Sequence, residues 1–498
     1  AQENHRCSQT NSQYRDVMKK VLLLGFLFVV MQPLVAQDEL GIAGSTRAPV
    51  NTVYFNPASI SDSRTFIDIE LSGINAFAFN NLAFVGKEDF SLTDYGGINN
   101  IQYNHNKKKY MAKVNATYRG PSFTANWKEH AFGIHTGVQV LADVRKLPNA
   151  TSYLITEGLD YRPQIGQTQT VEKVRLGLMA YGYVGFSYAT IAYRWDNAIL
   201  LGGITVNRLL SPGAFGARLD DWTYTLQDSS KLATQSINGE FAFNSFGNGL
   251  ISGKGWGIDL GATYKKRTKG SFGYTPWNPC TDGKYEYKAS IALLDFGSVK
   301  FKAPYYRYTF DNTSGGNFTG GGGTHWDEPG SADTTITNGF GATANTSGSK
   351  LKMKLPTALS AQLDYHVHRK LYAMGALTLA FPWKNKLGVQ RATYLAVVPR
   401  WESGNYEISM PITLYEFKKP MVGLAFRVRS VIIGSDYLNA FLFNGNLYGA
   451  NVYVHVKMAL FKHPKCKSSG SGGRADFTKR KTRPIRQAPK SPVPCPRF

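Results

Sequence analysis

Leu359-Ser360-Ala361-Gln362-Leu363-Asp364-Tyr365-His366-Val367-His368 reads apolar, polar, apolar, polar without a break. A strand sends successive side chains to opposite faces, so this run has one greasy face and one that carries Ser360, Gln362, Asp364, His366 and His368. Its length exceeds the roughly 5–6 residues of an ordinary globular strand and matches the roughly 9–11 that a tilted strand needs to cross a bilayer.

The same reading extends in both directions along the chain. Ile67, Ile69 and Leu71 alternate with Asp68 and Glu70; Ala112, Val114, Ala116 and Tyr118 with Lys113, Asn115, Thr117 and Arg119; Ile258, Leu260, Ala262 and Tyr264 with Asp259, Gly261, Thr263 and Lys265. Near the end, Val452, Val454, Val456, Met458 and Leu460 share one face, and Tyr453, His455 and Lys457 the other. A soluble β-sandwich would alternate as well, so the connections decide. Tight polar turns at Lys128-Glu129-His130, Trp195-Asp196-Asn197 and His368-Arg369-Lys370 alternate with long segments over roughly 80–109, 146–171, 209–252 and 301–350. Short turns at one end and long loops at the other mark an outer-membrane barrel. Aromatic groups such as Tyr118/Trp127, Tyr181/Tyr183/Tyr188/Tyr193/Trp195, Phe381/Trp383 and Tyr415/Phe417 predict girdles at the lipid–water boundary. The expected fold is all-β: a closed transmembrane antiparallel β-barrel of about 14 strands over residues 63–461, closed because an open edge in hydrocarbon would leave backbone groups unpaired.

Composition agrees with that class and excludes others. Charged residues make up 18% of the 498, against roughly 25% in soluble domains, while 50 Gly, 28 Tyr and 29 Phe exclude wholesale disorder. Of the net charge of +23, +10 falls in the last stretch, where from Lys462 to Phe498 eleven Lys and Arg face one Asp. The rest is a thin positive bias, so nucleic acid is not an expected partner. Residues 462–498 read as a basic, Pro-rich disordered tail. Cys7, Cys280, Cys466 and Cys495 are scattered and suggest neither a disulfide framework nor a zinc site. Lys19-Lys20, the apolar run Val21 to Val30 and a small residue at Ala36 have the order of a secretory signal over 18–36, and residues 1–17 read as sequence upstream of the true start. The expected location is therefore the outer membrane of a Gram-negative cell, with lipid as a partner and both termini periplasmic.

Between the expected cut and the first strand, residues 37–62 contain Gly41, Gly44 and then Asn56-Pro57-Ala58. Pro57 removes a ladder donor, so the segment cannot span and should fold inward as a short plug. It resembles the amino-terminal hatch of the FadL–TodX superfamily of fourteen-strand barrels, in which a Gly/Ala-rich segment ends in an Asn-Pro-Ala motif; the superfamily includes the PorV-type barrels of Bacteroidota type IX secretion. The resemblance implies a hatch blocking the lumen and one of two functions: passage of small hydrophobic molecules, or service as a non-transporting docking barrel for secretion-system proteins.

Two further sets of residues bear on function. Tyr110 to Trp127 alternates on both sides of Gly120-Pro121, which reads in two ways: one long strand that loses its ladder there and leaves a lateral gap, or two short strands joined by a simple tight turn. Asp68, Glu70, Lys113, Arg119, Asp259, Lys265, Asp364, His366 and Lys457 fall on polar faces and are the expected lining of the lumen. His366 and His368 sit at i and i+2 near Asp364, but polar lining is the better reading than a metal site. No nucleophile elbow, zinc-protease helix, phosphate loop or dinucleotide fingerprint occurs in a suitable setting. No catalysis and no cofactor are expected.

Overall fold

A computed structural model describes residues 38–63, 65–89, 100–127, 129–244, 251–267, 285–302, 305–314, 316–319, 351–383 and 386–460. The expected signal, the upstream extension, the basic tail and the Gly-rich centre of the 301–350 segment lie outside the described residues.

The ladders resolve into fourteen antiparallel staves among the described residues. They are β1 (Ile67–Asn80), β2 (Lys109–Arg119 and Ser122–Trp127), β3 (His130–Pro148), β4 (Thr168–Arg194), β5 (Ala198–Asp228) and β6 (Lys231–Asn244 and Gly253–Arg267). Next come β7 (Tyr285–Phe301, Tyr305–Thr313 and Asn317–Thr319), β8 (Leu351–Lys354 and Ala358–His368), β9 (Leu371–Ala380) and β10 (Tyr394–Glu402). The last four are β11 (Tyr406–Ser409 and Ile412–Tyr415), β12 (Lys419–Val422 and Leu424–Val428), β13 (Val431–Ser435) and β14 (Gly449–Leu460). The ring closes where β14 pairs with β1, from Ile67↔Leu460 to Phe79↔Gly449.

Outside and inside follow from the period of two. In β8, Leu359, Leu363, Tyr365 and Val367 are exposed while Ser360 and Asp364 are buried; in β14, Val452, Val454, Val456, Met458 and Leu460 are exposed while Tyr453, His455 and Lys457 are buried. Exposed aliphatic and aromatic side chains recur around the ring, an exterior suited to acyl chains and not to water. Trp127, Tyr193, Trp195 and Trp401 rim this belt at the short-turn end, and Trp256, Phe381 and Phe417 rim it at the long-loop end. From Leu371 to Phe381 the outer face of β9 spans one rim to the other, the length a bilayer requires. Tyr181, Tyr183 and Tyr415, expected in the girdles, are instead buried on the inner face. They occupy inward positions, which the clustering of aromatics along the chain does not reveal.

The segment 209–252, expected to be a long loop, is mostly strand. β5 continues to Asp228, turns at Ser229-Ser230 with Asp228 accepting from the Ser230 amide at 2.7 Å, and returns as β6. Tyr305–Thr313 of β7 pairs with this hairpin, so part of the 301–350 segment is strand as well. Alternation simply persists beyond the membrane: Trp222, Tyr224 and Leu226 are buried together with Leu232, Ile237 and Tyr308. A raised β-wall therefore stands over one side of the mouth.

Candidate functional site: the plugged lumen

Residues 38–63 form two short helical turns, Leu40–Ala43 and Pro49–Thr52, and a 3-10 turn, Pro57–Asp62. Their contacts reach strands on every side of the ring, which only an interior segment can do. The Leu40 amide donates to Asp436 Oδ2 at 2.7 Å; Ser45 and Thr46 hydroxyls donate to Glu407 and Glu402, each at 2.8 Å; the Asn51 side-chain amide donates to Glu70 at 2.9 Å; and Asp62 pairs with Lys265 at 2.5 Å and Lys288 at 3.3 Å.

The Asn-Pro-Ala turn explains itself physically. Asn56 caps the 3-10 turn by accepting from the Ala58 amide at 2.9 Å, and its side-chain amide donates to Ala262 O at 3.2 Å and Thr263 Oγ1 at 3.1 Å. Two wall glycines make room: a Cβ at Gly203 would collide with the Ala58 amide and Pro57 backbone, and one at Gly261 with Asn56 Oδ1. Within the plug the relation is reciprocal, since a Cβ at Gly41 would strike Tyr453 and one at Gly44 the Arg400 guanidinium.

The expected lining charges are on the inner face, and most hold something in place. Glu39, fully buried, pairs with Arg119 at 2.8 Å and His455 at 3.3 Å, while His455 reaches Glu70 at 2.6 Å. Burial alone would raise the Glu39 carboxyl, but Arg119 and His455 more than offset it and hold it below its ordinary range. Lys457 pairs with Asp68 at 3.0 Å, and Asp68 also meets the Val50 amide. Asp364 pairs with Arg400 at 3.1 Å and accepts from the Tyr285 hydroxyl at 2.6 Å. Asp259 accepts from the Asn207 side chain and the Asp295 amide. His366 is half-buried near the short-turn end, bonded to Arg369 O and stacked on Tyr372, apart from the plug.

Lys113 does something the sequence does not announce. Its ammonium donates to the carbonyls of Gln390 and Arg391 at 3.1 and 3.2 Å and pairs with Glu416 at 3.1 Å. Those carbonyls belong to the loop between β9 and β10, which turns into the lumen. Leu387 and Val389 of this loop are buried among Leu141, Met179, Leu209 and Met353 on the inner faces of β3, β4, β5 and β8, with Tyr54 of the plug packed against the same cluster. Below the loop a cavity of about 50 Å³ lies between Asp38, Lys113, Gln139 and Tyr394. The lumen thus has two closures. The sequence signal for the second is Leu387 and Val389, two aliphatic residues that follow the polar run Lys384-Asn385-Lys386 in a connection between strands.

At Gly120-Pro121 the β2 ladder does break, and the inward set shifts from Arg119 to Ser122 and Thr124. β1 shifts phase at the same level, between Glu70 and Ser72. On the β3 side the break is bridged: the Gly120 amide donates to Thr136 O at 2.9 Å, and Ser122 Oγ accepts from the Thr136 amide at 3.1 Å. Behind it lie Arg119, Tyr54 and His135.

Fold and site together define a transmembrane β-barrel with an internally plugged lumen. The chain matches the model of a family of unknown function, DUF5723, over residues 57–436, and belongs to that family. No match was found among curated proteins. Among solved structures it is similar to the toluene transporter TbuX of Ralstonia pickettii (9% identity, 82% of this chain and 94% of that one, TM-score 0.39). It is also similar to the toluene transporter TodX of Pseudomonas putida (9%, 86% and 100%, TM-score 0.29) and to a deltaS2S3 mutant of the TodX monoaromatic hydrocarbon channel (11%, 85% and 98%, TM-score 0.42).

Proposed function

We propose that the protein passes small apolar solutes across the outer membrane, with its short turns and both termini in the periplasm and its long loops outside. The observation that carries this is the apolar luminal cluster occupied by Leu387 and Val389. A water-filled pore lines its interior with polar groups, whereas here one half of the lumen offers aliphatic and aromatic side chains that a solute could meet in place of the loop. The loop acts as the outer closure, the amino-terminal plug as the inner one, and the break at Gly120-Pro121 as a lateral exit. The docking role in protein secretion draws on no contact described above. The test replaces Leu387 and Val389 by Ser in the full-length protein and measures uptake of a labelled monoaromatic solute by cells. A weakened outer closure raises the initial rate, and a rate no different from that of cells lacking the barrel, in both wild type and variant, contradicts transport.

A further inference from the structure

The outer face of the barrel carries a charge arrangement that the plugs and the lumen do not use. In β6, Leu260, Trp256 and Lys254 follow one another outward toward the long-loop end, and in β7 Phe296 is followed by Lys300; Trp256, Phe296 and Leu260 are exposed in the apolar belt. Lys254 lies directly opposite Lys300, and Lys300 directly opposite Lys352 of β8. All three are exposed. One step nearer the belt, the Arg208 guanidinium stacks on Trp256 at 4.8 Å and the Lys354 ammonium on Trp383 at 4.2 Å. Among the described residues, none of these lysines has a carboxylate within ion-pair distance.

Like charges directly opposite one another on neighbouring strands repel and destabilise the pairing. Strands lie about 4.8 Å apart, so the three ammonium groups are confined to a row about 10 Å long. The row begins two residues beyond the aromatic rim, roughly 7 Å of strand rise, which is the depth of lipid headgroups and not of acyl chains or bulk water. Phosphate groups held at that depth neutralise such a row, and the flanking indole rings present apolar surface to the sugar and acyl portions of the same molecule.

We propose that Lys254, Lys300 and Lys352, flanked by Arg208 and Lys354, form a binding site for the phosphates of a phosphorylated glycolipid of the outer leaflet. The choice of leaflet rests on the orientation proposed above; the site itself rests on register and exposure.

The test uses the full-length protein in detergent, with native mass spectrometry and thermal melting as readouts and a bis-phosphorylated lipid A as probe. The wild type retains this lipid and melts higher in its presence, and Lys254→Gln/Lys300→Gln/Lys352→Gln retains about a hundredfold less, the factor that three cations at an anionic lipid surface supply. Without lipid the triple variant melts no lower than wild type, which shows that it folds, and Lys370→Gln at the opposite end retains lipid normally. Equal retention by the triple variant, equal retention of the dephosphorylated glycolipid, or full displacement by millimolar inorganic phosphate overturns the proposal. An impermeant maleimide applied to intact cells carrying Ser230→Cys reads orientation separately: labelling supports the outer leaflet, and none overturns that assignment whatever the lipid result.

Discussion

Asp38 Oδ1 lies 3.0 Å from Nη2 of Arg391, and Asp38 Oδ2 accepts from the Tyr394 hydroxyl at 3.0 Å. One carboxylate at the start of the plug therefore ties it to the loop that closes the lumen from the other side. Arg391 also approaches Asp295 of β7 at 3.7 Å, so loop, plug and wall meet at one guanidinium.

Arg391→Gln removes that junction. A hydrogen bond to a charged group contributes about 2 kcal/mol where water is largely excluded. Amide exchange in residues 386–393 and in 38–47 is expected to accelerate together by roughly thirtyfold. Acceleration of the loop alone would show that the two closures are independent.

The seating of the Asn-Pro-Ala turn predicts a contrast between neighbours. Gly203→Ala pushes a methyl into the backbone of Pro57 and Ala58, whereas Gly202→Ala meets nothing within 4 Å. Asn56→Ala removes a cap and two further bonds, costing about 1–3 kcal/mol. Melting in detergent should drop for Gly203→Ala and Asn56→Ala and stay unchanged for Gly202→Ala.

Acid should release the plug. For Asp62, as for Glu39, burial raises the carboxyl but the cations outweigh it, here Lys265 and Lys288, so both sit below their ordinary values. A depressed carboxylate contributes stability that is fully present above its unfolded pKa and is lost as pH falls through the folded value, here below about pH 4. Pepsin at pH 2–3 should cut within residues 38–63 while the barrel resists. Protection equal to that seen near neutral pH with another protease would contradict the role assigned to these pairs.

The break in β2 predicts an effect on passage without loss of fold. A Cβ at Gly120 would lie 2.6 Å from Thr136 Oγ1, so Gly120→Trp crowds the bridged break and obstructs the proposed exit there. Uptake should fall several-fold with the barrel still folded by heat-modifiable mobility. Unchanged uptake would count against a lateral exit.

Whether a feature is legible in the sequence depends on what sets it. Inside and outside are written in a local period, so the opposite faces of Leu359–His368 and of Val452–Leu460 could be assigned from the residues alone. The polar faces also gave Asp68, Glu70, Arg119, Lys265 and Lys457 as inward. Their partners could not be read, because Glu39 meets His455 only when the ring closes, and no local pattern encodes that distance. Arg400 and Glu402 flank Trp401 with the same period and were open to the same reasoning. From sequence the hairpin at 229–230 reads as part of a loop, because alternation does not say where the membrane stops. Leu387 and Val389 mark the loop as unusual, but its turn into the lumen is not legible, because its fixing contacts come from Lys113 and Asp38, far away in sequence.

The most direct measurement is the concentration dependence of uptake of a labelled monoaromatic solute by cells with and without the barrel, beside a sugar of similar size. Passage of apolar solutes through the plugged lumen requires saturable, barrel-dependent uptake of the aromatic and none of the sugar. Equal entry of both, or no barrel-dependent entry of the aromatic, would contradict it.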